Sequence, residues 1–198
     1  MKRASIFALL AVICAAMFAS AQQPPAPPKP APELAKLNYF LGDWKVEGDA
    51  KPSPMGPGGK FTGTSRNEWM PGKFFIVLHT TGDMAAMGKV IGHAYLGYDP
   101  EEKTYTYHEF NSVGEAVSAK GNVQGDTWTW TNEEKMQGKV MKGRFTEKVT
   151  SPTSYDFKFE ASMDGGPFQT LMEGKATRTS AAASSAKSDK AEKKPEPK

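Results

Sequence analysis

From Asp43 to Thr177 the sequence alternates apolar and polar residues with period two, and turn-forming residues interrupt it about every eight to twelve positions. This limits the fold more than any other feature, because segments this short and this closely spaced leave no room for the helical crossovers that parallel strands need. The expected strands are Asp43 to Lys51, Lys60 to Met70, Lys73 to Gly82, Lys89 to Tyr98 and Lys103 to Asn111. They continue with Glu115 to Val123, Thr127 to Asn132, Lys139 to Thr150, Ser154 to Met163 and Phe168 to Thr177. The turns between them carry Pro71-Gly72, Asp99-Pro100-Glu101-Glu102, Gln124-Gly125-Asp126 and Asp164-Gly165-Gly166-Pro167, residues suited to tight reversals.

About ten antiparallel strands in one open sheet would expose two long edges, and closure removes both. The expected fold is therefore all-β, an antiparallel up-and-down barrel with one short N-terminal helix. The helix is read from Pro32 to Leu41, where apolar residues recur at helical spacing between a proline start and the Gly42 stop. The strand Lys73 to Gly82 is apolar on both faces, so its outer face needs a cover, and the helix is the candidate.

The two ends fall outside this pattern. Lys2-Arg3, the uncharged run Ile6 to Phe18 and Ala19-Ser20-Ala21 form a cleavable secretory signal over residues 1–21, cut near Ala21. The run is too short to anchor in a bilayer, so no transmembrane segment is expected and the product is secreted or periplasmic. Residues 22–32 form a Pro-rich linker, 33–178 the barrel domain, and 179–198 an Ala/Ser/Lys-rich tail with no large apolar residue, expected to be disordered. The single cysteine, Cys14, lies in the signal, so the mature chain has no disulfide and no Cys-based metal site.

Charge follows the same partition. The whole chain has 25 Lys+Arg and 22 Asp+Glu, but residues 33–178 carry 17 and 19, a net charge of −2. The basic excess sits in the ends, and the folded part lacks the positive surface that nucleic-acid binding relies on. The tail, at +2, is a possible contact with an anionic envelope surface, which gives a second reading as a tethered structural protein.

Several motifs carry a resemblance: Leu41-Gly42-Asp43-Trp44 after a short helix, then Glu68-Trp69-Met70-Pro71-Gly72, Gly97-Tyr98-Asp99-Pro100, Thr104-Tyr105 and a closing basic strand. In this order, over Leu34 to Arg178, the chain resembles the secreted bacterial family called domain of unknown function 1579, which is placed with lipocalin-like barrels. The resemblance implies that Trp44 packs across the closed end against a basic residue of the last strand, with Arg178 the candidate. The haem-binding nitrobindin type, related by fold, carries extra glycines after its Trp. Here Lys45-Val46-Glu47-Gly48 departs from that pattern and weakens the haem reading.

Ligand chemistry is read from three groups of residues. Trp69, Tyr95, Tyr107, Trp128, Trp130 and Phe157 are the candidate lining of a cavity for a small apolar or amphiphilic molecule. His79, His93 and His108 fall on consecutive strands. A symmetric turn near Ala86 sets His79 opposite His93, and a loop of Asp99 to Glu102 sets His93 opposite His108, a row that could hold zinc or haem iron. Met84 and Met87 offer a softer pair for copper(I). No cofactor is favoured over the ligand reading. Gly56-Pro57-Gly58-Gly59-Lys60 lacks the context of a phosphate loop and reads as a lid over a barrel mouth. Glu68, Glu109, Glu115 and Glu173 are scattered, and no nucleophile or acid–base constellation marks an enzyme.

Overall fold

The structure, a computed structural model, describes residues 27–53, 56–84, 88–136 and 138–180. The expected signal, the first part of the expected linker and nearly all of the expected tail lie outside the described residues.

Ten antiparallel strands close into a barrel in simple up-and-down order. They are β1 (Gly42–Ala50), β2 (Gly59–Trp69), β3 (Ile76–Met84), β4 (Gly88–Asp99), β5 (Thr104–Asn111), β6 (Ala116–Gln124), β7 (Thr127–Met136), β8 (Lys139–Ser151), β9 (Ser154–Met163) and β10 (Gln169–Ser180). Each pairs with its sequence neighbours, and β1 closes the ring on β10, with Trp44 opposite Arg178 and Gly48 opposite Gly174. Alternation places one set of side chains inside. On β9, Tyr155, Phe157, Phe159 and Ala161 face inward, and Asp156, Lys158 and Glu160 face outward.

The N-terminal helix differs from expectation in type and place. It is a 3₁₀ helix of nine residues, Pro32–Phe40. Its buried side chains, Leu34, Leu37 and Phe40, recur every third residue, the spacing that a three-residue turn stacks into one line. The helix does not cover the outer face of β3. It plugs one end of the barrel, where those three residues pack with the inward-facing Ile76, Leu96, Tyr105, Trp128 and Trp130. The two-sided apolar character of β3 instead reflects Ile76, fully buried inside, and a half-buried Val77 outside. Phe74 and Phe75 precede the strand.

Barrel side chains bind the plug's free polar groups. The Phe40 carbonyl accepts from Trp44 Nε1 at 2.8 Å and from Asn67 Nδ2 at 2.7 Å. Tyr105 donates its hydroxyl to the Glu33 carbonyl at 2.9 Å, and Trp69 Nε1 donates to Asn38 Oδ1 at 2.9 Å. The bonds to Phe40 satisfy a carbonyl that the helix C-terminus leaves unpaired, and together the four fix the plug's depth.

Candidate functional site: the barrel lumen

The chain enters β1 beside the plug, so every second connection lies at the opposite end. The loops after β1, β3, β5, β7 and β9 form the open end, and those after β2, β4, β6 and β8 surround the plug. The Gly56-Gly59 segment is therefore at the mouth, where a lid would be.

Burial on the inner wall changes along the axis. Leu37, Ile76 and Trp44 are fully sealed at the plugged end. Further along, Trp128 and Trp130 stack at 6.0 Å, and Tyr105 meets Trp128 edge-on at 4.8 Å. Beyond this layer, inward-facing Ser65, Thr80, Tyr107, Glu109, Asn111, Asn132, Phe145 and Phe159 are only half-buried. Phe61, Met141 and Ala161 are buried on the same stretch of wall, so the interior is sealed at one end and only partly filled toward the other.

Glycine opposite aromatic residues keeps this wall thin. Phe61 is paired with Gly48, Phe157 with Gly174, and Trp130 with Gly121. Each ring lies flat on the bare backbone opposite. A Cβ on Gly48 would stand 2.5 Å from Phe61 Cζ, one on Gly174 would stand 2.5 Å from Phe157 Cζ, and one on Gly121 would stand 2.3 Å from Trp130 Cε3. Because Gly48 and Gly174 are themselves partners, Phe61 and Phe157 meet across them at 6.2 Å. Large rings thus line the lumen while standing only a short way into it.

One carboxyl group lies deep among these rings. Glu147 on β8 is 8% exposed, and its Oε2 accepts a 2.9 Å hydrogen bond from Trp130 Nε1. Burial dominates its titration and pushes its carboxyl up to about 7, with the indole bond opposing that rise in part. Its charge is felt by Tyr39, Tyr107 and Tyr155, whose phenols burial already raises, those of Tyr107 and Tyr155 well above the usual value. Tyr107 donates its hydroxyl to Glu109 Oε2, a second carboxylate on an inward position. The sequence reading missed Glu147, although the alternation Phe145-Glu147-Val149 on one face was the signal that could have found it.

Five of the six predicted lining residues face inward, at two levels. Tyr107, Trp128, Trp130 and Phe157 share the lumen wall. Trp69 is at the plugged end, its indole tied to Asn38, beside a shallow depression of about 250 Å³ with Pro32, Leu34 and Lys73. Tyr95 is corrected. It lies between inward-facing Ala94 and Leu96, so alternation turns it outward, and it is 36% exposed.

The three histidines are exposed on the outer wall. His79 is directly opposite His93, with Nδ1 atoms 3.1 Å apart, and Glu68 Oε1 is 3.8 Å from His79 Nε2. His108 does not join them in the expected row. Asp99 stays in the strand and accepts from the amides of Glu101 and Glu102, and Lys103 turns the chain with a left-handed φ of 54°. The loop becomes Pro100 to Lys103, the register moves by two, and His93 faces Phe110 while His108 faces Tyr95. Among the described residues no group of three or more His, Cys, Asp or Glu is placed to hold a metal ion. Met87 lies outside the described residues, so the copper pair is not described.

At the plugged end the Arg178 guanidinium stacks 4.7 Å over the Trp44 ring and 5.5 Å over Tyr39, and its Nη2 donates to the Tyr39 carbonyl. Arg178 Nε is buried and has no hydrogen-bond partner among the described residues. No helix among the described residues is long and apolar enough to cross a membrane.

A solved chain, Rv2717c from M. tuberculosis, has a similar fold, with TM-score 0.52 and 16% identity over 77% of this chain and 100% of that one. Another, EF1p2_mFAP2b bound to DFHBI, aligns at TM-score 0.39 and 10% identity over 72% and 95% of the two chains, too loosely to argue from. No curated protein matches the sequence. The pattern of the family described as "Protein of unknown function (DUF1579)" matches residues 29–178, the plug and the whole barrel, and the chain belongs to that family.

Proposed function

We propose that this chain is a secreted or periplasmic barrel that binds a small apolar or amphiphilic ligand in its lumen and carries out no chemistry. The observation that carries this reading is the inner wall itself. Tyr107, Phe145 and Phe159 point inward yet keep accessible surface, in a barrel whose other end is sealed by Leu34, Leu37 and Phe40. Aromatic walls with a few convergent polar groups are the usual make-up of small-molecule sites. The location rests on the Met1 to Ala21 leader, and the cationic tail after Arg178 adds contact with the envelope surface.

The test is native mass spectrometry of the protein purified from its own host, paired with a crystal structure. A co-purifying small molecule with density beside Trp130 and Tyr107 is the expected result. A ligand-free protein whose interior is solidly packed would overturn it.

A further inference from the structure

We propose that the lumen selects ligands with a cationic, hydrogen-bond-donating head, a protonated amine or amidine, which docks on Glu147 while an apolar tail points to the mouth. This rests on the lumen-binding reading above and names the ligand class for it.

The first support is the sign of the charge inside. The acidic side chains on inward positions of the wall are Glu109, Glu134 and Glu147. The inward cation of the wall is Arg178, which is spent at the plugged end on Trp44, Tyr39 and the Tyr39 carbonyl. Lys139 begins β8 at the rim and is exposed. An anionic head carried to the depth of Trp130 would meet carboxylates and no free cation among the described residues.

The second support is how Glu147 is held. Trp130 occupies Oε2, and Oε1 has no hydrogen-bond partner among the described residues although the side chain is more than nine-tenths buried. Oε1 is also absent from the sealed, partnerless atoms, a condition met by Arg178 Nε alone among the described residues. The free oxygen therefore meets the lumen. A buried carboxylate with one oxygen unused gains most from a donor that also brings positive charge. The surrounding rings, Trp130, Tyr107 and Tyr155, suit a cation by their faces and a tail by their area.

The third support is reach. From Glu147 toward the mouth the same face of β8 presents Phe145, Gly143 and Met141, six positions or roughly 20 Å of strand with no charge. Gly143 lies under the Asn132 amide and Phe159, and Met141 is buried, so a tail from a head at Glu147 lies against half-buried Phe145 and Phe159.

Titration gives an independent handle. The groups that interact with Glu147 are Trp130 from β7, Tyr107 from β5, Tyr155 from β9 and Tyr39 from the plug, with Glu109 on β5 bonded to Tyr107. The three phenols stay neutral through the working range because their values are raised. An amine needs Glu147 ionised, and with its carboxyl near 7 the ionised fraction rises about thirtyfold from pH 5.5 to 8.5.

The experiment uses the full chain at pH 8 and three probes with one tail, dodecylamine, dodecanol and dodecanoate, each titrated by calorimetry below its micelle concentration. The amine is expected to bind at least tenfold more tightly than dodecanoate and to weaken severalfold or more at pH 5.5. E147Q is expected to lower amine affinity about tenfold and leave dodecanol unchanged. Equal or tighter binding of dodecanoate, or an amine advantage that survives E147Q, overturns the head-group inference while the lumen reading stands. Binding of none of the three overturns both. The comparison of heads needs no variant, so it decides even if E147Q does not fold.

Discussion

Trp130 donates its indole N–H to Glu147 across 2.9 Å, joining the aromatic layer of β7 to a carboxyl on β8 that almost no solvent reaches. The bond favours the ionised form, and burial, the larger effect, favours the neutral one. A carboxyl raised from 4.5 to about 7 on folding costs nothing below pH 4.5, where both states are protonated. Between pH 4.5 and 7 the unfolded chain ionises first, so the native state loses up to roughly 3 kcal/mol. E147Q keeps an acceptor for Trp130 and removes that loss. In urea unfolding the variant should match the parent near pH 4.5 and exceed it by about 2–3 kcal/mol at pH 8. An equal difference at both pH values would show that Glu147 is not held out of solvent.

The flat seat of Trp130 on Gly121 gives a packing prediction. A methyl at Gly121 would stand 2.3 Å from Cε3, so G121A must push the indole inward, off its stack with Trp128, or move the strand. Overpacking of this kind costs about 1–3 kcal/mol, and the melting temperature should fall by about 3–10 °C. The near-ultraviolet circular dichroism of the tryptophan pair should change with it. An unchanged melt and spectrum would contradict the thin-wall packing.

The plugged end depends on a planar cation between two rings and a carbonyl. R178M removes the stack on Trp44 and Tyr39 and the bond to the Tyr39 carbonyl, and should cost about 2–3 kcal/mol. R178K keeps the charge without the plane and should recover less than half of that. Recovery to the parental value in thermal melts would mean that charge alone holds the plug.

Much of this was legible in the residues. Period-two alternation gave ten strands within a few residues of their observed ends, because side chains on a half-buried sheet must alternate. Where prediction failed, the outcome depended on facts that no local pattern contains. The Asp99 turn captured two amides and carried the loop on to Lys103, which moved the register and separated His108 from His93. Tyr95 is apolar enough to line a cavity, yet it stands outside because its neighbours Ala94 and Leu96 take the interior. Glu147 went unnoticed because a lone carboxylate in a strand looks like surface until its parity with Phe145 and Val149 is read.

The opposite orientations of Tyr95 and Tyr107 make a paired prediction. Both are aromatic strand residues, but Tyr107 faces the lumen and Tyr95 the solvent. Y95A should leave affinity for any lumen ligand within twofold of the parent, and Y107A should weaken it about tenfold. Equal effects in matched calorimetric titrations would place the site elsewhere.

Uptake of a small apolar molecule by the lumen is read out by energy transfer from the buried tryptophans to the neutral fluorophore N-phenyl-1-naphthylamine. Trp128 and Trp130 lie in the wall, so a lumen-bound dye should quench their emission saturably at one dye per chain. T80W, which adds a ring at a half-buried inward position, should abolish the transfer in a chain whose circular dichroism shows an intact barrel. Non-saturating transfer, or full transfer in folded T80W, would contradict the account.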